Sequence, residues 1–330
     1  MNAPDLPSRL PTAADVANAA KLLSGVAVRT PLLSNLTLDR KTGGRIFLKP
    51  EVLQRTGSFK FRGAYNRIAR IPSSEKGGVV AFSSGNHAQG VAAAAKLRGL
   101  SAVIVMPRDA PRAKIERTKS HGAEIVLYDR ESESRDEIGQ RIAAERGAVL
   151  VPPFDDPLVI AGQGTVGQEI CEDLGEQGAG PDIVLTPASG GGLAAGIALA
   201  VKEKYPAARI LTVEPAGFDE YAHSFRSGKR ERNARATGSI CDALLCPTPG
   251  EITFEINRRL VGEGVAATDD EVRAAMRFAF SELKLVVEPG GAVALAALLA
   301  CAVDVRGKTV AIVLSGGNVD AKLFAEIIGG

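Results

Sequence analysis

From residue 78 the chain alternates short apolar runs with longer stretches of helical periodicity. GVVAF (78–82) reads as a strand, residues 87–98 as an alanine-rich helix stopped by Gly99, and SAVIVM (101–106) as a strand closed by Pro107. PRAKIERTKSHG reads as a helix with proline at its start and glycine at its end. AEIVLY (123–128) is a third strand, SESRDEIGQRIAAERG a charged helix and AVLV (148–151) a fourth strand. PPFDDP (152–157) breaks the rhythm and marks a lobe boundary. The alternation then resumes with a helix within 158–174, strand DIVLT (182–186), a helix from about 192 and strand RILTVE (209–214). Residues 225–250 are irregular, and KRERNAR within them reads as a solvated surface run. Helices near 251–260, 269–283 and 290–302 lead to a last strand, KTVAIVLS (308–315), and a short final helix. The expected fold class is α/β, with two open parallel-sheet lobes covered by helices on both faces. In such sheets, loops at the carboxyl ends of the strands are the expected ligand positions.

A length of 330 residues exceeds the size at which a single core stops growing, which agrees with two lobes. Forty Lys plus Arg against 38 Asp plus Glu is too balanced to suggest a nucleic acid or an anionic membrane as partner. Cys171, Cys241, Cys246 and Cys301 form no CxxC and no Cys/His pair at metal-ligand spacing, so neither a disulfide framework nor a zinc site is indicated. A reducing cytoplasm is the expected setting, and the N-terminal residues lack the apolar core of a signal peptide. Residues 183–201 carry no charge and are long enough to span a bilayer. Pro187 and the run Gly190, Gly191, Gly192 argue instead for a strand, a tight loop and a packed helix.

Candidate chemistry begins at GSFKFRGA (57–64), where Lys60 stands between Phe59 and Phe61, two residues before Arg62. Such a lysine either snorkels to water past its aromatic neighbours or sits desolvated, so that burial disfavours the ammonium and leaves a nucleophilic amine. Three strands then run into polar, glycine-bearing loops. SSGNHAQG (83–90) gathers two hydroxyls, Asn86 and the first N–H groups of a helix, a set that can hold a carboxylate or simply cap the helix. PASGGGLAAG (187–196) lets the backbone approach an anion, with phosphate as the expected guest. It also admits a nicotinamide-dinucleotide reading that ends at Glu214, although its glycines space as GxGxxxG. LSGGN (314–318) places Ser315 where a hydroxyl can meet a ligand ring or merely close a turn.

A nucleophilic lysine, an asparagine loop, a glycine cradle and a hydroxyl on a last strand are the four parts that pyridoxal phosphate needs. Through SFKFRGA, SSGNHAQG, IAGQGT, SGGGL, VEP, VEPGGA and LSGGN, from about residue 20 to 325, the chain resembles fold-type II pyridoxal-phosphate enzymes of the threonine/serine dehydratase and serine racemase branch. The resemblance implies that Lys60 carries the cofactor covalently, with Phe59 against its ring. It assigns Asn86 to the ring hydroxyl, Gly190, Gly191, Gly192 and Leu193 to the phosphate, and Ser315 to the pyridine nitrogen. Ser83, Ser84, Gly85, Asn86 and His87 shape the grip on the substrate carboxylate. Ser189 stands where the family usually has a further glycine, and its hydroxyl either adds a phosphate donor or crowds the turn.

The implied reaction is dehydration and deamination of L-threonine or L-serine, with 3-hydroxyaspartate as a related candidate, to a 2-oxo acid and ammonia. Substrate amine displaces Lys60, which removes the α-proton, while the cofactor phosphate protonates the departing hydroxyl. A neutral Ser315 leaves the ring a weaker electron sink, which suits elimination over transamination. Serine racemase is the alternative, with Ser84 as the opposing acid/base. A noncatalytic amino-acid sensor is a rival from another class. Glu214 and Glu220 in VEPAGFDEYAHS match acids that hold Mg2+ or Ca2+ in the racemase branch, or are surface carboxylates near a helix start. Glu288 lies near the ring or caps the next helix, and Arg62 and Arg135 read as structural. Residues 1–73 and 153–330 are expected to form the large cofactor-binding domain and 74–152 a small mobile domain. A homodimer is expected from the resemblance. The end of the chain at Gly330 suggests a catabolic, unregulated role.

Overall fold

Among the residues that the computed structural model describes, 10–330 apart from 73, 74, 76, 84, 111 and 130, the apolar runs pair into two separate sheets. The larger runs in the order β1 (Leu33–Ser34), β2 (Arg45–Pro50), β10 (Thr309–Leu314), β7 (Ile183–Pro187), β8 (Arg209–Pro215) and β9 (Glu263–Ala267). The smaller runs β5 (Glu124–Tyr128), β4 (Ala102–Pro107), β3 (Val79–Phe82), β6 (Val149–Leu150). Every pairing is parallel except that of β1 with β2 at the edge.

Period-two alternation sends the side chains of each strand to two different cores. Along β10, Val310, Ile312 and Leu314 join one cluster with α11 (Asp269–Leu283) and α12 (Pro289–Leu299). Ala311 and Val313 join another with α7 (Pro157–Glu176) and α8 (Gly192–Lys204). The smaller sheet behaves alike: Val79, Ala81, Ile104 and Met106 pack with α3 (Lys60–Ile68) and α4 (Asn86–Leu97), while Val80, Val103 and Val105 pack with α6 (Arg135–Arg146). Strands buried on both faces account for the near-continuous apolar runs.

The uncharged stretch 183–201 is strand, loop and helix, and among the described residues no helix is long and apolar enough to cross a membrane. Glycines in IAGQGT (160–165) serve helix packing: a Cβ at Gly162 would lie 2.7 Å from the Arg62 carbonyl oxygen, and one at Gly164 2.7 Å from that of Gly196. The sequence pattern did not reveal β2 or β9. EGVAA in β9 is small and half-buried at a sheet edge, so it lacks an apolar run. Helix α12 stops at Leu299, short of residue 302, and Cys301 beyond it takes φ 57°.

Helix α3 is anchored by a buried ion network. The Arg62 Nε and Nη2 donate to Glu51 at 2.7 and 2.8 Å, and Nη1 and Nη2 donate to Glu169 at 2.6 and 2.9 Å. Lys49, also fully buried, reaches Glu169 at 2.7 Å and donates to the Thr30 carbonyl at 2.6 Å. Burial alone would push the Glu51 carboxyl up, but the Arg62 guanidinium overrides it and holds the group below its ordinary value. Replacing Arg62 with alanine strands Glu51 in the interior and is expected to cost about 3–5 kcal/mol in urea unfolding, since removing one partner of a buried pair leaves an uncompensated charge. The part that comes from Glu51 is full above pH 4.5 and lost as acid titrates the lowered folded value. A loss in the variant below about 1 kcal/mol would show that the network does not anchor α3.

Candidate active site

Lys60 opens α3, and its position is set by the loop that follows β10. The Phe59 N–H donates to the Ser315 carbonyl at 3.1 Å, and Ser58 bridges to Gly316. The Lys60 Nζ donates to the Pro153 carbonyl at 2.7 Å and lies 5.2 Å from the centre of the Phe59 ring. Part of the side chain stays exposed, yet the amine end is withdrawn from water, and that burial lowers its pKa to about 8. Phe59 packs onto the cluster of Phe47, Leu193 and Val313.

Residues 189–194 form an anion cradle. Their six consecutive N–H groups donate to no acceptor among the described residues, and α8 begins at Gly192. The loop has no room for side chains: a Cβ at Gly190 would collide with the Phe154 ring, and one at Gly191, where φ is 91°, with the Tyr221 hydroxyl. Free N–H groups at the positive end of a helix suit a phosphate. The Ser189 hydroxyl accepts the Cys246 N–H at 3.0 Å, which ties the irregular segment to this loop.

Asn86 opens α4 and joins three loops. Its Nδ2 donates to Glu288 Oε1 at 2.5 Å, and its Oδ1 accepts from Asn318 Nδ2 at 2.7 Å. Arg117, on α5 (Arg112–Ser120) of the small-sheet side, donates to Asn318 Oδ1 at 2.8 Å. Glu288 precedes Pro289 at the head of α12, and its side chain makes no cap bond there. Burial pushes its carboxyl up to about 7, against the pull of the Asn86 hydrogen bond. His87 is buried, with Nε2 2.9 Å from the Val151 carbonyl, so Nε2 carries the proton. Its Nδ1 has no partner among the described residues. Burial and the nearby Lys60 push its pKa down to about 3, so it stays neutral. Ser83 Oγ accepts the Gly85 N–H at 3.2 Å, Ser315 is buried directly after β10, and Ser84 lies outside the described residues.

Lys60, Asn86 and Ser315 thus meet around the loops after β10 and β3, and the Pro153–Phe154 loop joins Lys60 to the glycine cradle. Glu214 and Glu220 stand apart at the end of β8 and the start of α9 (Glu220–Ser227), both fully buried. Glu214 accepts the N–H groups of Tyr221 and Ala222 at 3.1 and 3.2 Å, and Glu220 Oε2 accepts from Asn233 Nδ2 at 2.6 Å. Glu220 Oε1 has no hydrogen-bond partner among the described residues. No cluster of three or more His, Cys, Asp or Glu side chains able to hold a metal occurs among them. KRERNAR is therefore not wholly solvated, because its Asn233 turns inward. Pro153 and Phe154, inside a segment that read only as a boundary, complete the site, and no sequence signal marks a backbone carbonyl that receives an amine.

The family described as pyridoxal-phosphate dependent enzyme matches residues 23–316. The chain is 44% identical to the L-threonine ammonia-lyase of Thermotoga maritima over 96% of its own length and 78% of that protein. It is 43% identical to the L-threo-3-hydroxyaspartate ammonia-lyase of a Pseudomonas species over 96% of this chain and 98% of the other. The structure of maize serine racemase superposes with a TM-score of 0.91 at 38% identity, covering 96% of this chain and 97% of that one. A lysine amine joined through the Pro153–Phe154 loop to a donor-rich loop where positions 190 and 191 have room only for glycine agrees with these likenesses and leaves no need for a dinucleotide. This chain belongs to the family of pyridoxal-phosphate-dependent enzymes.

Proposed function

We propose that the chain is an ammonia-lyase that eliminates the β-hydroxyl of L-threonine or L-serine as water and then, as one water adds back to the resulting imine, releases ammonia to leave a 2-oxo acid. 3-Hydroxyaspartate is a further candidate substrate, supported by the 43% identity to the Pseudomonas enzyme. The observation that carries this reading is the Lys60 amine, lowered to about pKa 8 and joined through the Pro153–Phe154 loop to a glycine cradle with six unspent N–H groups. In this reading Lys60 holds pyridoxal phosphate, Phe59 lies against its ring, Asn86 meets the ring oxygen and Ser315 the ring nitrogen. Ser189, Gly190, Gly191, Gly192 and Leu193 hold the phosphate. When bound, the cofactor supplies an electron sink for the carbon that loses its proton.

The chain's own residues supply the proton transfer and the grip. An amine of pKa about 8 is neutral in about a tenth of molecules at pH 7, far more than an ordinary lysine, so Lys60 is fit to take the α-proton. Ser83, Gly85, Asn86 and His87 offer the substrate carboxylate the N-terminus of α4, with His87 contributing shape and an acceptor without charge, and Ser84 is assigned to the same grip from the sequence motif. Ser315 gives the ring nitrogen a neutral partner, which favours elimination over transamination. A second reading, serine racemisation, draws support from the likeness to the maize enzyme and requires a base opposite Lys60, a duty assigned to Ser84.

We further infer a large cofactor-binding domain of 1–73 and 153–330 and a small mobile domain of 74–152, a division supported by the separate sheet of β3 to β6. A homodimer and a cytoplasmic setting complete the reading, the latter supported by four free cysteines. Mg2+ or Ca2+ is assigned to Glu214 and Glu220, since two buried carboxylates side by side call for a hard cation or a proton between them. Burial raises both groups, Glu220 to about 7.

Lys60→Ala is expected to lose at least about a thousandfold in 2-oxo acid formation and to lose the visible absorbance that borohydride bleaches; full turnover in that variant would refute the assignment. Chelation should lower both the melting temperature and the activity, with Mg2+ or Ca2+ restoring them, and no change in either removes the cation. Glu288 has a raised pKa, so its contribution to stability is full below pH 4.5 and fades as pH rises through about 7. Glu288→Gln should therefore flatten a decline of up to about 3 kcal/mol that this group gives the native protein between about pH 4.5 and 7. Identical pH profiles for the two proteins would contradict a buried, protonated Glu288.

A further inference from the structure

The back of the glycine loop is held by three fully buried side chains from outside the motif: Tyr221 of α9, and Thr253 and Asn257 of α10 (Glu251–Leu260). Thr253 Oγ1 donates to the Gly190 carbonyl at 2.6 Å, and Tyr221 Oη donates to Thr253 Oγ1 at 3.1 Å, which forms a two-hydroxyl relay ending on that carbonyl. The Gly250 N–H reaches the same oxygen at 3.3 Å. Asn257 Nδ2 donates to the Gly191 carbonyl at 3.2 Å, beside the Ala195 N–H of α8, which reaches the same oxygen at 2.9 Å. Asp155 fixes the start of α10 by accepting the N–H groups of Glu251 and Thr253 at 2.9 and 3.1 Å. It follows Phe154, which packs against Gly190, and Pro153, which receives the Lys60 amine.

In a trans peptide the C=O and the next N–H point in opposite directions across one rigid plane. Holding the Gly190 and Gly191 oxygens from behind therefore turns the N–H groups of Gly191 and Gly192 to the opposite side. Glycine at these positions has no Cβ to restrict the alternative flip, so the orientation must come from the groups that bind the carbonyls.

We propose that Thr253, Tyr221 and Asn257 are positioning residues that aim the loop's N–H groups at the cofactor phosphate and so set how strongly the phosphorylated cofactor is preferred over its phosphate-free form. This rests on the assignment of the glycine loop to the phosphate. The test titrates apo-protein with pyridoxal 5'-phosphate and, separately, with pyridoxal, by visible absorbance. Thr253→Val is expected to weaken pyridoxal 5'-phosphate by about tenfold while pyridoxal stays within about twofold, and Thr253→Ser should restore the preference. The phosphorus resonance of the bound cofactor should shift in Thr253→Val and return in Thr253→Ser. Tyr221→Phe, which removes the outer hydroxyl of the relay, itself 3.4 Å from the Gly190 carbonyl, should reduce the preference by about threefold and serves if Thr253→Val does not fold. Equal weakening of both ligands in these variants, or none, overturns the bracket while leaving the cradle intact. A native protein that binds the two ligands equally overturns the phosphate assignment of the loop itself.

Discussion

A guanidinium with no exposure to water, shared between two carboxylates, decides where the reactive end of α3 lies. Arg62 ties that helix to Glu51 directly after β2 and to Glu169 in α7, and Lys49 extends the network along β2 to the Thr30 carbonyl. None of these charges tolerates the interior alone, since each needs a partner in fixed geometry. The arginine two residues beyond Lys60 is thus the anchor that lets the lysine stand at a helix start without being drawn to the surface. The Phe59 bond to Ser315 fixes the other side.

From that anchor the electrostatics of the site follow from burial. Withdrawal from water lowers the Lys60 amine and raises the Glu288 carboxyl, so both move toward neutrality. His87 becomes neutral for the same reason, with the nearby Lys60 adding to the effect. The backbone adds a positive feature of its own: six N–H groups at the head of α8. An anionic group is favoured there, near an amine that gives up its proton more readily than an ordinary lysine, a combination that a surface lysine and a solvated loop do not provide.

The division of labour in the glycine loop follows the same logic. Its Gly190 carbonyl is satisfied by Thr253 and Gly250 and its Gly191 carbonyl by Asn257 and the Ala195 N–H, its flanks are filled by Phe154 and Tyr221, and its donors remain. Tyr221 also donates its backbone N–H to Glu214, so the acid pair and the cradle share one residue. Asn233 binds both Glu220 and the Cys246 carbonyl, and the Cys246 N–H returns to Ser189. The irregular segment is in this way part of the scaffold of the site.

Local pattern alone determined most strands and helices, because strands buried on both faces need apolar runs and helices need their caps and stops. The motif order likewise singled out the lysine, the asparagine, the glycine run and the serine, and the fold gathers them into one region. Pattern missed the edge strand β9, whose EGVAA buries too little apolar surface to show. It missed Pro153, Tyr221, Thr253 and Asn257 because a carbonyl that meets an amine, or a hydroxyl that meets a carbonyl, has no signature when the partners lie 31 to 93 residues apart. The sense of Arg62, structural and not catalytic, was legible as a possibility; its partners at 51 and 169 came only from the packing of α3 against α7 and its approach to the turn after β2. What tertiary structure decided was protonation and aim, since both depend on which groups exclude water from one another, a property of contact and not of order along the chain.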